Sequence, residues 1–219
     1  MKSTRPALLL ILLLAAAPAM ARQDIDEISR DITARAGQSY GSLETVSGDI
    51  RIESGARTGD ASTVSGDIDL ERDSSAGDLE TVSGDIHADA KARAGSVESV
   101  SGDVFFDRGG NIDGDIDTVS GDIGLVGTRV SGGIETVSGD ITVGIDSHVR
   151  GGIRIEKNDN GKGMNWGRPP RIVIGPNAVV EGALVFERPV VLYVHKTAKT
   201  GRVTGATAKI FDTPTAPKD

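Results

Sequence analysis

The string TVSGDI occupies residues 45–50 and returns unchanged at 63–68, 81–86, 118–123 and 136–141, with SVSGDV at 99–104. Its valines, Val46, Val64, Val82, Val100, Val119 and Val137, are spaced by 18, 18, 18, 19 and 18 residues. A fixed period near 20 residues is the mark of a solenoid, in which each repeat buries its apolar side chains against the next. Each period holds short runs of Ile, Val, Leu and Thr broken by Gly, Asp and Ser, which are strand and turn residues. Eighteen residues are too few for a strand plus a full helix and suit one coil of a parallel β-helix. Composition agrees, since 2 Tyr, 4 Phe and 1 Trp among 219 residues give little bulk for a deep globular core. The expected fold is all-β: a single-stranded parallel β-helix of about nine coils, roughly 45 Å long at one strand spacing per coil.

Alignment of the periods gives apolar columns. Leu43, Leu79, Val97, Ile116 and Ile134 precede the motif, and Ile50, Ile68, Ile86, Val104, Ile123 and Ile141 end it. Two residues later stand Ile52, Leu70, Ala88, Phe106, Leu125 and Val143. Side chains alternate along a strand, so positions 50 and 52 share the core face while Arg51, Asp69, His87 and Thr142 face water. Leu43 and Val46 have opposite parity. Either the chain bends between them and buries both, which is the reading favoured here, or the valines form an apolar stripe outside.

The chain opens with Lys2 and Arg5, an apolar run from Ala7 to Ala17, and Ala19-Met20-Ala21. This is a signal-peptide pattern over residues 1–21 with cleavage expected after Ala21, and the run is short for a membrane span. Residues 22–156 form the repeat domain, 157–170 a Gly-, Asn- and Pro-containing loop insertion, 171–211 further β-helical turns, and 212–219 a Pro-rich tail expected to be disordered. The segment QDIDEISRD (23–31) is expected to cap the first coil, as a short helix or as a leading strand. Without cysteine there is neither a disulfide framework nor a lipidated anchor. Loss of residues 1–21 leaves 22 basic and 32 acidic side chains, about −10 in charge, which disfavours nucleic acid and anionic lipid as partners.

The spaced TVSGDI motif over residues 30–156 resembles a family of exported bacterial β-strand repeat domains classed as adhesin-like, whose biochemical activity is undefined. The resemblance implies a parallel β-helix and a location in or beyond the cell envelope. The stretch IGPNAVVEGALVFE is similar to the hexapeptide-like turns of bactofilins, which are β-helical polymer-forming scaffolds, although a leader sequence departs from their pattern.

Six copies of Ser-Gly-Asp could be six sites or one corner made six times. The serines Ser47, Ser65, Ser83, Ser101, Ser120 and Ser138 have only His87, His148 and His195 as possible bases, at unrelated places in the coil, so a shared catalytic arrangement is not expected. The glycines Gly48, Gly66, Gly84, Gly102, Gly121 and Gly139 are expected at a tight corner, either with positive φ or pressed against the next coil. The aspartates Asp49, Asp67, Asp85, Asp103, Asp122 and Asp140 would repeat like charges every ~5 Å, a repulsion that turn N–H groups or a row of calcium ions would relieve. One carboxylate per coil supplies few ligands for calcium, so the solvated turn is preferred and no cofactor or metal is expected. Trp166 and Arg168, in the loop insertion, are the candidate partner-binding residues.

The functional expectation is an exported, non-enzymatic envelope or surface protein, periplasmic in the first instance, offering a scaffold for adhesion or assembly to an envelope protein or glycan. It is expected to be a monomer or weak oligomer with no membrane span after leader cleavage. The alternatives are a polysaccharide-active lyase or hydrolase and a calcium-binding β-solenoid. An enzyme would need a break in the repeat where carboxylates and a base converge, and residues 43–143 show none.

Overall fold

The structure is a computed structural model that describes residues 22–157 and 168–217. Short strands of two to five residues recur three times per coil and pair in parallel with the equivalent strand of the coils on either side. Sheet A has ten strands, from Ile25–Glu27 to Val203–Thr204, and includes Leu43–Thr45, Leu79–Ser83, Val97–Ser101 and Ile116–Ser120. Sheet B also has ten, from Ile32–Ala34 to Lys209–Phe211. Sheet C has six, from Arg93–Ala94 to Lys199–Thr200, and continues towards the N-terminus through bridges linking Ser39, Arg57, Ser75 and Arg93. The result is a three-sided parallel β-solenoid of ten coils, close to the nine expected, with no helix among the described residues.

Register follows the repeat without slippage. Ile50 pairs with Ile68, Ile68 with Ile86, Ile86 with Val104 and Val104 with Ile123. Leu79 likewise pairs with Val97 and Val97 with Ile116. Across residues 157–170 the register holds, since Ile141 pairs directly with Ile172. Further on, Ile174 pairs with Val194, which absorbs the longer 20-residue spacing. The N-terminal segment is a leading strand, Ile25–Glu27, paired with Leu43–Thr45.

The core is a stack of thin layers whose sizes compensate. The coil with Leu79, Ile86 and Ala88 closes with Ala92 and Ala94, all buried. The next inserts Phe106, fully buried, and leaves room for it with Gly110, at which a Cβ would lie 3.3 Å from the Phe106 ring. Burying each Ile, Leu or Val contributes about 1.5–3 kcal/mol, summed over one continuous cluster from Ile32 to Val194.

The bend expected between Leu43 and Val46 does not occur. Leu79–Ser83, Val97–Ser101 and Ile116–Ser120 run straight through the valine position with the burial pattern in, out, in, out. The inward partner of Leu43 is Thr45, not Val46, and Val46, Val64, Val82, Val100 and Val119 are 43–48% exposed. The reason is that the inward position lies beside a corner carbonyl. Thr45 Oγ1 donates to Arg30 O at 3.3 Å, Thr63 to Gly48 O at 3.2 Å and Thr81 to Gly66 O at 3.4 Å, so a hydroxyl is satisfied there. Valine is left on the outside as a stripe.

Residues 212–217, expected to be disordered, lie across sheet B. Ala216 packs beside Val173, Tyr193 and Phe211, and the Arg171 guanidinium donates to Pro217 O at 2.8 Å.

Candidate functional site: the repeated corner and the outer faces

At the motif corner the six glycines sit against the coil before them. A Cβ added at Gly66, Gly84, Gly102 or Gly139 would fall well inside 3.0 Å of the carbonyl of the equivalent glycine, Gly48, Gly66, Gly84 or Gly121. Gly48 meets Arg30 O and Gly121 meets Gly102 O in the same way. Gly121 and Gly139 also have positive φ, 120° and 129°, whereas the four earlier glycines do not. Close approach is therefore what this corner demands in every coil.

The aspartates form a ladder with a direction. Asp67 N–H donates to Asp49 Oδ1 at 2.9 Å, Asp85 N–H to Asp67 at 2.8 Å, Asp103 N–H to Asp85 at 2.8 Å, Asp122 N–H to Asp103 at 2.7 Å and Asp140 N–H to Asp122 at 2.8 Å. Asp31 begins the series as acceptor for Asp49 N–H at 3.0 Å. Each carboxylate from Asp49 to Asp122 thus satisfies the backbone of the coil above it through a charge-assisted hydrogen bond while the residue stays exposed. Asp140 ends the ladder, accepting from Arg171 N–H at 2.9 Å and from both guanidinium nitrogens of Arg168 at 3.1 and 2.7 Å. Arg168 is thereby placed as the cap of the aspartate column, and Trp166 lies outside the described residues. Among the described residues, no group of three or more His, Cys, Asp and Glu is arranged to hold a metal ion.

A second ladder runs outside the TVSGDI motif. Asp24 Oδ1 accepts from Ser42 N–H, Asp60 from Asp78 N–H, Asp78 from Ser96 N–H and Asp115 from Gly133 N–H, at 2.6–2.9 Å. Asp24 directly precedes the first sheet A strand, and the other residues precede later ones in the segments YGSLE, TGDAS, AGDLE, AGSVE, DGDID and SGGIE. Each has Gly followed by Asp, Ser or Gly, the same order as in the motif, and that grammar was the available signal. The third corner differs: it carries left-handed residues of varied type, Gly37, Gly55, Asp73, Lys91, Gly109, Gly127, Asp146 and Asn177, with φ between 53° and 81°.

The motif serines lie outside, where Ser101 and Ser120 hydroxyls are 3.3 Å apart and Ser120 and Ser138 donate to Val100 O and Val119 O. His87 stacks on Phe105 at 5.3 Å, His148 meets Glu181 at 2.7 Å and His195 meets Thr197 at 2.9 Å. No serine of the column shares a described hydrogen bond with any of them.

The three outer faces differ in chemistry. Sheet A carries an outward row of Asp26, Glu44, Ser62, Glu80, Glu98, Asp117 and Glu135 in register. Burial first, then Asp115, Glu135 and Glu98, push the Asp117 carboxyl above its ordinary value. Sheet C carries Arg57, Arg93 and Arg129 at every second coil, with Ser75 and Asn111 between. On sheet B, Asp69 is raised mainly by burial, while Arg51 binds Glu71 at 2.8 Å and holds that carboxyl low. A concavity of about 680 Å³ lies where the tail crosses sheet B, walled by Asp140, Arg168, Arg171, Phe211 and Thr215. No helix among the described residues is long and apolar enough to cross a membrane.

Comparison with curated proteins and with solved structures found no match. The family model described as Toastrack DUF4097 matches twice, over residues 23–108 and 79–160, and the two matches together span more than half of the chain. Both fall on the regular coils and cover every copy of the motif. The β-solenoid with its repeated glycine corner therefore belongs to the Toastrack family, a β-repeat domain of unknown function.

Proposed function

We propose that the protein is an exported, non-enzymatic scaffold of the cell envelope, periplasmic in the first instance, whose faces hold an envelope protein or glycan in adhesion or assembly. The observation that carries this reading is the equivalence of the coils. The first five motif aspartates each accept the N–H of the next motif aspartate, Asp140 accepts Arg171 N–H in its place, and every motif glycine abuts the coil before it, which spends aspartate and glycine on the solenoid itself. A reaction needs one place where acid, base and nucleophile converge, and equivalence works against that. The leader pattern of residues 1–21 supports export. Stiff repeats with chemically distinct faces suit extended binding surfaces.

The test is capture of partners from an envelope fraction by the tagged protein, with proteins and glycans both scored. Stable retention of a partner without change in its covalent structure is the expected result. A glycan recovered shortened or unsaturated would replace the scaffold by an enzyme.

A further inference from the structure

On the outer face of sheet A a charged row and an apolar row run side by side. Along the coils from Glu44 to Asp117 the carboxylates Glu80, Glu98 and Asp117 stand two residues from Val82, Val100 and Val119, with the buried Thr/Ser column forming the floor between them. The rows line a shallow groove of about 450 Å³ that runs along the solenoid axis. Five aligned valines more than 40% exposed are not explained by packing within the chain. Among the described residues no ion pair joins a cation to Glu44, Glu80, Glu98 or Asp117, and burial first, then the neighbouring carboxylates, raises the Asp117 carboxyl.

The last motif-bearing coil of this face, that of Glu135 and Val137, shows what fits. There the chain supplies its own arginines: Arg154 Nε lies 3.4 Å from Glu135, and Arg188 donates to Val137 O at 2.9 Å. Val137 is accordingly half-buried, unlike the five valines before it. An arginine suits both rows, because its guanidinium pairs with carboxylates while its aliphatic stem covers apolar surface. In the earlier coils Val46 O, Val64 O and Val119 O already accept Ser65, Ser83 and Ser138 N–H, so a partner there would gain carboxylate pairing and valine contact rather than carbonyl bonds.

We propose that the outer face of sheet A, from Glu44 to Asp117, docks a basic amphipathic helix of a partner protein, its cations on the carboxylate row and its aliphatic side chains on the valine row. This deepens the scaffold reading and rests on it. A helix lying along the axis advances about 5.4 Å per turn against about 4.8 Å per coil, a mismatch that long side chains absorb over four or five coils. Helix-in-groove recognition uses the same arrangement of anchors on one face. A second copy of this chain is a poorer occupant, because its arginine row on sheet C falls at every second coil and the whole chain carries a net charge of −8.

The experiment is fluorescence anisotropy of the purified protein with a labelled 18-residue helical peptide of Ala, Arg and Leu, arginines on one helical row and leucines on the next. Expected are saturable binding, a loss of about tenfold or more for Val64→Ser/Val82→Ser/Val100→Ser, and a similar loss for Glu80→Gln/Glu98→Gln/Asp117→Asn. Circular dichroism melting checks that the variants fold, and the corresponding Val→Thr triple serves if the serine triple does not. The proposal is overturned if the peptide fails to bind, if a version with its leucines replaced by serine binds as well, or if the valine triple binds like the parent. It is also overturned if sedimentation finds a dimer that the valine triple dissolves, since the face then belongs to a second copy. An envelope protein captured equally by parent and valine triple would remove docking at sheet A and leave the scaffold reading standing. Peptide binding with no captured envelope partner would do the reverse.

Discussion

The chain turns at the motif corner with glycine in every copy, and at the corner before sheet C with whatever residue is at hand. Gly84 has ordinary φ and no room for a methyl group, because the Gly66 carbonyl occupies the space. Gly55 has φ 69° and nothing within 4 Å of a built Cβ. In the equivalent place of the next two coils stand Asp73 and Lys91, with φ 59° and 65°. A corner that needs space admits only glycine, whereas a corner that needs a left-handed conformation tolerates other residues at about 1 kcal/mol. The invariance of the motif therefore records packing between coils rather than six copies of a chemical site.

Substitutions can break this comparison. The largest effect is expected for Gly84→Ala, which drives a methyl group into backbone that cannot move without parting two coils; a loss of more than about 3 kcal/mol, or failure to fold, should appear in urea unfolding. Asp85→Ala should cost about 1–2 kcal/mol because it orphans the Asp103 N–H, while Asp85→Asn keeps an acceptor oxygen and should lose less. Gly55→Ala should cost about 1 kcal/mol or less in the same assay, and a loss matching that of Gly84→Ala would end the distinction between the two corners. At Thr58, whose buried Oγ1 has no partner, valine should be neutral or stabilising by up to about 1 kcal/mol.

The smallest effect concerns pH. Hydrogen bonds from Arg51, then Ser54, hold the Glu71 carboxyl below its ordinary value, so it contributes stability that is present above the unfolded value and lost as pH falls through the lower folded one. Asp69 and Asp117 act oppositely. Burial raises them, so their charge costs stability that grows as pH rises from the unfolded value through the raised folded value. Glu71→Gln should lower the melting temperature slightly at pH 7, and the gap should close below the folded value.

The sequence exposed the fold because three apolar columns repeat with one period, and a parallel solenoid is the structure that keeps such columns in register. Hydrophobicity alone misjudged the column next to the motif. Thr45 and Thr63 point inward, since corner carbonyls accept their hydroxyls, and Val46 and Val64 point outward. The first aspartate ladder follows from one repeated letter, but its sense, from each carboxylate to the next coil's N–H, is a fact of three dimensions. The second ladder was harder to find because Ser42, Ser96 and Gly133 interrupt the aspartates, and a donor N–H is supplied by any of these residues. The left-handed corner left no letter pattern at all, since its requirement is conformational and is met by Gly, Asp, Lys and Asn alike.

The central claim is that the motif aspartates are spent on the solenoid's own backbone, and amide hydrogen exchange followed residue by residue in Asp85→Ala tests it most directly. The directed ladder predicts faster exchange at Asp103 N–H, one coil above, relative to its neighbours, with Asp67 N–H one coil below unchanged. Equal exchange at Asp103 in parent and variant, with or without a change at Asp67, would contradict it.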